Sequence, residues 1–138
     1  MHLHRRPVLT LAVAAVLLTG CSADGLEVDG FAPGACTDVA PALVDLDTAL
    51  RDYSGGDLSA PRAGAEFEAA QDELLAASES ADPPVQEAMT ALVTDLGFLR
   101  VATDNELDAE APQQDVRTSL GAIAEQCGGS AAEPNSSY

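Results

Sequence analysis

The stretch Val39–Tyr53 reads VAPALVDLDTALRDY, and its apolar residues Val39, Leu43, Leu46, Leu50 and Tyr53 recur at steps of four, three, four and three. That rhythm places one apolar stripe on an amphipathic helix, with Asp45, Asp47 and Asp52 on the polar sides. The acids there read most simply as solubilising charges, and Asp47 with Arg51 as a weak i,i+4 ion pair. Three further stretches repeat the pattern. Ala63, Phe67, Ala70, Leu74, Ala77 and Ala81 form the second stripe, and Val85, Met89, Leu92, Leu96 and Leu99 the third. Val116, Leu120 and Ile123 form the fourth. No stretch alternates with period two, so the chain reads as all-α.

Punctuation supports the same division. Pro41, Pro61, Pro83 and Pro112 fall in or near the expected first turns, where a missing N–H costs little. Thr37, Ser59 and Asp82 are candidate N-caps. The breaks are Ser54-Gly55-Gly56-Asp57, the turn Ala81–Pro84 and the acidic loop Asp104–Ala111. Connections this short join antiparallel neighbours, which predicts an up-down-up-down four-helix bundle over residues 36–127. Gly64, Gly97 and Gly121 fall inside the helices, each costing about 1 kcal/mol relative to Ala. None sits at the centre of its stripe, and the sequence suggests no packing reason for them.

Either side of the bundle the composition changes. Ser22–Ala35 carries three glycines, a proline and three acids and reads as a flexible tether. As a coil it would span about 20 Å, and at full stretch about 45–50 Å. Residues 128–138 are small and polar and read as a disordered tail.

Residues 1–20 differ from everything that follows. Arg5 and Arg6 precede an apolar run, Val8–Leu18, broken only by Thr10. A charged start, a short apolar run and small residues at the end describe an export signal. The run is too short for a spanning helix, which needs about 20 residues. Leu18-Thr19-Gly20-Cys21 then resembles the lipobox of bacterial lipoproteins. The resemblance implies cleavage before Cys21, diacylglyceryl attachment to its thiol, and a mature protein anchored on the extracytoplasmic face of the cell membrane. More than one acyl chain is needed for stable anchoring.

Cleavage there would change the charge balance. The whole chain has six basic residues, all Arg, against 23 acids, a net charge of −17. Residues 21–138 keep four Arg and all 23 acids, a formal −19, and lose His2 and His4, the two histidines of the chain. The near-zero mean hydropathy of +0.05 is therefore inflated by the first 20 residues.

Two cysteines remain beyond Cys21. Cys36 lies three residues before Val39 and Cys127 four after Ile123, each in phase with its stripe. In an up-down-up-down bundle the start of the first helix and the end of the fourth share one end. A Cys36–Cys127 disulfide is therefore geometrically natural in an exported chain, against the alternative of two buried thiols. It also compensates a second helix that offers mainly Ala to the core.

Sites of known chemistry are sparse. Without His beyond residue 4, a His-based triad or zinc site is excluded from the mature chain, and there is no Cys-x-x-Cys, Gly-rich phosphate loop or cofactor motif. Four scattered Arg form no basic patch, which argues against nucleic acid. Asp104–Glu110 alternates oxygen ligands as a calcium loop would. An EF-hand begun at Asp104 would nevertheless put Ala109 at the glycine position, Pro112 among the ligands and Asp115 at the end, so a solvated loop is the better reading. The stripes read as a packed core in preference to a ligand cavity. Phe98 lies beside its core stripe, partly exposed, and could mark a partner-facing spot, though a lone exposed aromatic is ordinary.

The Lys-free, Ala-rich, acidic composition resembles small helical lipoproteins of high-GC actinobacteria. That implies a membrane-anchored cell-envelope protein with a non-enzymatic interaction or accessory role and a protein partner in the envelope. The alternatives are a carrier of lipid or another small ligand, and a hydrolase using a carboxylate pair on envelope sugars.

Overall fold

The computed structural model describes residues 25–128. Cys21 and residues 1–20, with the expected lipobox, lie outside the described residues, as does the tail from 129 onward. Four helices follow in order: α1 (Ala35–Ser54), α2 (Ala60–Ser78), α3 (Pro83–Asp104) and α4 (Glu110–Gln126). There is no strand among the described residues. Each helix packs on the next in sequence, and α4 returns to α1 more sparsely, giving the expected up-down-up-down bundle.

The stripes read from the sequence form the core, except that Ala81 lies past the end of α2 and, like Val85, only partly buries itself against it. Val39, Leu43, Leu46 and Leu50 of α1 interlock with Phe67 and Leu74 of α2, Met89, Leu92, Leu96 and Leu99 of α3, and Val116, Leu120 and Ile123 of α4. Tyr53 is half-buried and meets Phe67 edge-to-face at 6.2 Å between ring centroids. That geometry suits the ring quadrupoles. Cys36 and Cys127 are disulfide-bonded, with Cα atoms 5.6 Å apart across 91 residues. The bond closes the start of α1 onto the end of α4.

Local starts differ from expectation in two places. The N-cap of α1 is Gly34, and Thr37 is the third helical residue. Its hydroxyl accepts from the Gly34 N–H at 3.1 Å and donates to the Gly34 carbonyl at 2.9 Å, so it closes the turn from inside. Pro41 consequently lies in the second turn, inside the helix, where the carbonyl of Thr37 loses its i+4 donor. The buried run that follows holds the helix together past that missing bond. Ser59 and Asp82 do occupy the N-cap positions of α2 and α3 in extended conformation, without side-chain capping bonds.

The larger correction concerns the tether. From Leu26 onward it is docked on the bundle. Phe31 is only 7 % exposed and belongs to the core, while Leu26 and Val28 pack half-buried against it. The Leu26 N–H donates to Asp47 Oδ2 at 3.3 Å, and the Ala32 N–H to the Cys127 carbonyl at 2.9 Å. Leu26 thus sits far along α1, whereas Ala32 sits at the disulfide end. The segment runs back alongside α1, anchored on α1 at one end and α4 at the other. Its glycines make turns: Gly30 at φ 89° and Gly34 at φ 99° adopt backbone that side chains disfavour. A Gly/Pro-rich composition here reports tight bends, not slack.

The structure supplies a packing reason for one of the helical glycines. Gly64 is buried at the α2–α3 contact, where an added Cβ would come within 3.3 Å of Asp104 Oδ1. Around Gly121 there is open space.

Candidate functional site

Two surface features stand out, one charged and one uncharged. The charged one is a groove between α1 and α2. Asp38, Asp45 and Asp52 recur every seventh residue on α1, and Glu66 and Glu73 are seven apart on α2. Because 3.6 residues make a turn, a spacing of seven returns each acid to nearly the same edge of its helix. The antiparallel packing then sets the two rows facing each other. Asp38, Asp45, Glu66 and Glu73 line, together with Pro41, Leu46 and Ala70, a groove of about 320 Å³. It continues, through Asp45 and Glu66, into a second hollow of about 400 Å³ that holds Asp52 and one cation, Arg62.

The chemistry of this groove is limited by its sameness. Carboxylate-dependent hydrolysis needs two acids in unlike environments, one kept protonated and one ionised. All four acids around the first hollow are exposed to solvent. The arrangement attracts mobile cations and repels anions, an effect that salt screens over about 8–10 Å.

The uncharged feature is the outward face of α3. Ala91, Thr94, Phe98 and Val101 recur at steps of three, four and three, turned away from the buried stripe Met89, Leu92, Leu96 and Leu99. Phe98 is 66 % exposed and Val101 56 %. Phe98 is therefore the exposed aromatic expected from the sequence, and it has an apolar neighbour one turn on. The charged residues of this part of α3 are turned aside and engaged. Asp95 accepts a hydrogen bond from the Ser119 hydroxyl of α4. Arg100 donates to Gln71 Oε1 at 2.7 Å and pairs with Glu68 at 3.4 Å, both on α2.

The remaining sequence-derived residues fall as follows. Cys36 and Cys127 are joined and buried. Asp47 and Arg51 form their ion pair at 3.0 Å, and Asp47 also holds the docked N-terminal segment, a role its spacing did not signal. The loop after α3 bends through Glu106 at φ 53°, and Asp108 Oδ1 accepts from the Glu110 N–H at 3.0 Å. Among the described residues, no three His, Cys, Asp or Glu side chains converge as a metal site would require. A third hollow of about 560 Å³ lies between the end of α1 and the start of α4, bridged by Arg117, whose Nη2 donates to Ser54 Oγ at 2.6 Å. Among the described residues no helix is long and apolar enough to cross a membrane.

Compared with protein-family models, curated proteins and solved structures, the chain matches none.

Proposed function

We propose that this chain is an exported lipoprotein of the cell envelope, held to the membrane through Cys21, whose helical domain is a non-enzymatic interaction module. The observation that carries the export half is the buried Cys36–Cys127 disulfide. Such bonds persist in oxidising compartments outside the cytosol. It agrees with the charged-then-apolar start and the Leu18-Thr19-Gly20-Cys21 sequence. The interaction half is supported by how the apolar residues are used. The large ones on the stripes are buried in one continuous core, and the three hollows described above are open surface grooves.

Anchoring is tested by expressing the full chain and its Cys21→Ser variant in a bacterial host supplied with labelled fatty acid. The unaltered chain should incorporate label and sediment with membranes, and the variant should do neither. Label in the variant, or membrane sedimentation equal to the unaltered chain, would refute the assignment.

A further inference from the structure

The uncharged face of α3 stands out against a protein with 23 acids. From Thr90 to Val101 its outward positions are Thr90, Ala91, Thr94, Phe98 and Val101, without a charge among them. The face extends onto α2. Gln71 donates to the Val93 carbonyl and Gln86 to the Ser78 carbonyl, so Leu75, between Gln71 and Ser78 on the same side of α2, borders Thr90. Leu75 is 52 % exposed. Leu75 thus lies at the Thr90 end of the stripe, two turns or more from Phe98 and Val101.

Acids rim that surface. Glu87 and Asp104 bound the stripe along α3, and Asp72 and Glu79 flank Leu75 on α2. Asp115 lies one turn before Ser119 on the side of α4 that meets α3. The cation nearest the stripe, Arg100, is already held by Glu68 and Gln71. An apolar centre with an acidic rim fits a partner of opposite pattern. A second copy brings the same acidic rim and an overall charge of −17, so like charges would oppose the contact. An anionic lipid surface is repelled for the same reason.

We propose that the outward face of α3 centred on Phe98 and Val101 docks a helical segment of a partner protein, one whose apolar stripe is flanked by Lys or Arg. The apolar stripe covers Phe98 and Val101, and the flanking cations meet the acidic rim. Heptad spacing on α3 matches a helix laid along it, in the manner of a helix in a groove. The proposal rests on the interaction-module reading and names its surface and partner, and it does not depend on lipid attachment.

The test uses the full-length chain in detergent and a synthetic amphipathic helix of about three heptads, with Leu at the stripe and Lys at the flanks. A twin peptide carries Glu at the flanks. The Lys peptide should bind and the Glu peptide should not. Phe98→Ser and Val101→Ser, both at exposed positions and therefore compatible with folding, should each weaken binding by about tenfold or more, as truncation of a central anchor does. Glu66→Gln with Glu73→Gln, in the α1–α2 groove, should leave it within about twofold once salt is at physiological strength. Cys21→Ser should bind as the unaltered chain does, which separates failure of anchoring from failure of docking. Absence of binding, or binding indifferent to Phe98 and Val101, overturns the proposal. So does a dimer in sedimentation analysis that Phe98→Ser makes monomeric, which would assign the face to a second copy. Binding to anionic vesicles that Phe98→Ser abolishes would assign it to lipid and overturn it equally.

Discussion

The main-chain N–H of Ala32 donates to the carbonyl of Cys127 at 2.9 Å, joining the segment before α1 to the residue that closes α4. This contact lies at the disulfide, so covalent and non-covalent closure of the bundle share one end. The segment before α1 is consequently part of the folded unit.

Reduction should expose how much the bundle relies on its staple. A loop of 91 residues is worth about 4–5 kcal/mol of chain entropy. Cys36→Ser, or the unaltered chain in reductant under denaturing conditions, should melt at a markedly lower temperature. A midpoint indifferent to reduction would contradict the account of α2 as an Ala-rich helix needing support.

Phe31 gives the docked segment its apolar contact. Phe31→Ala should cost about 3 kcal/mol, the range for emptying a buried aromatic site. Limited proteolysis should then cut within residues 25–34 faster than in the unaltered chain. Equal cleavage rates would mean that the segment is held by something other than this ring.

Asp47 serves two partners, the Leu26 N–H and Arg51. Asp47→Ala removes both and should cost about 1 kcal/mol, the net worth of such a bond. Asp47→Asn keeps an oxygen for Leu26 while removing the charge, and should cost less, because the Arg51 end of the ion pair is exposed and solvent screens it. The comparison is read from denaturant midpoints. Equal losses in the two variants would shift the weight from the hydrogen bond to the charge.

Gly121 and Gly64 should respond differently to alanine. At Gly121 nothing lies within 4 Å of a new Cβ, so Gly121→Ala should stabilise by about 0.5–1 kcal/mol through helix propensity. At Gly64 the new methyl meets Asp104 Oδ1 at 3.3 Å, and that side chain must turn aside. The gain at Gly64 should be smaller. Thermal melts of the two single variants suffice, and a larger gain at Gly64 would overturn the ranking.

The helices were legible because each buries one stripe, and a stripe of period 3.6 survives in sequence as steps of three and four. The cysteine pairing was legible because it follows from phase and antiparallel order. Phe98 was visible as an oddity, but its meaning was not. A search for one apolar stripe per helix finds the longer, more apolar one on α3 and passes over Ala91, Thr94, Phe98 and Val101 on the other side. The acidic groove was hidden for a related reason. Each heptad row of acids reads as an ordinary polar face until a second helix sets another row opposite.

Local periodicity and chain order determined the helices, their antiparallel sequence and the cysteine pair, since these depend on residues close in sequence or on simple alternation. Tertiary structure alone decided the place of Leu26, Val28 and Phe31. They carry no period, and their burial depends on surfaces of α1 and α4 that come together only after the chain has folded back on itself. A glycine-rich segment docks or swings free according to the surface it meets, and that surface is not written within the segment.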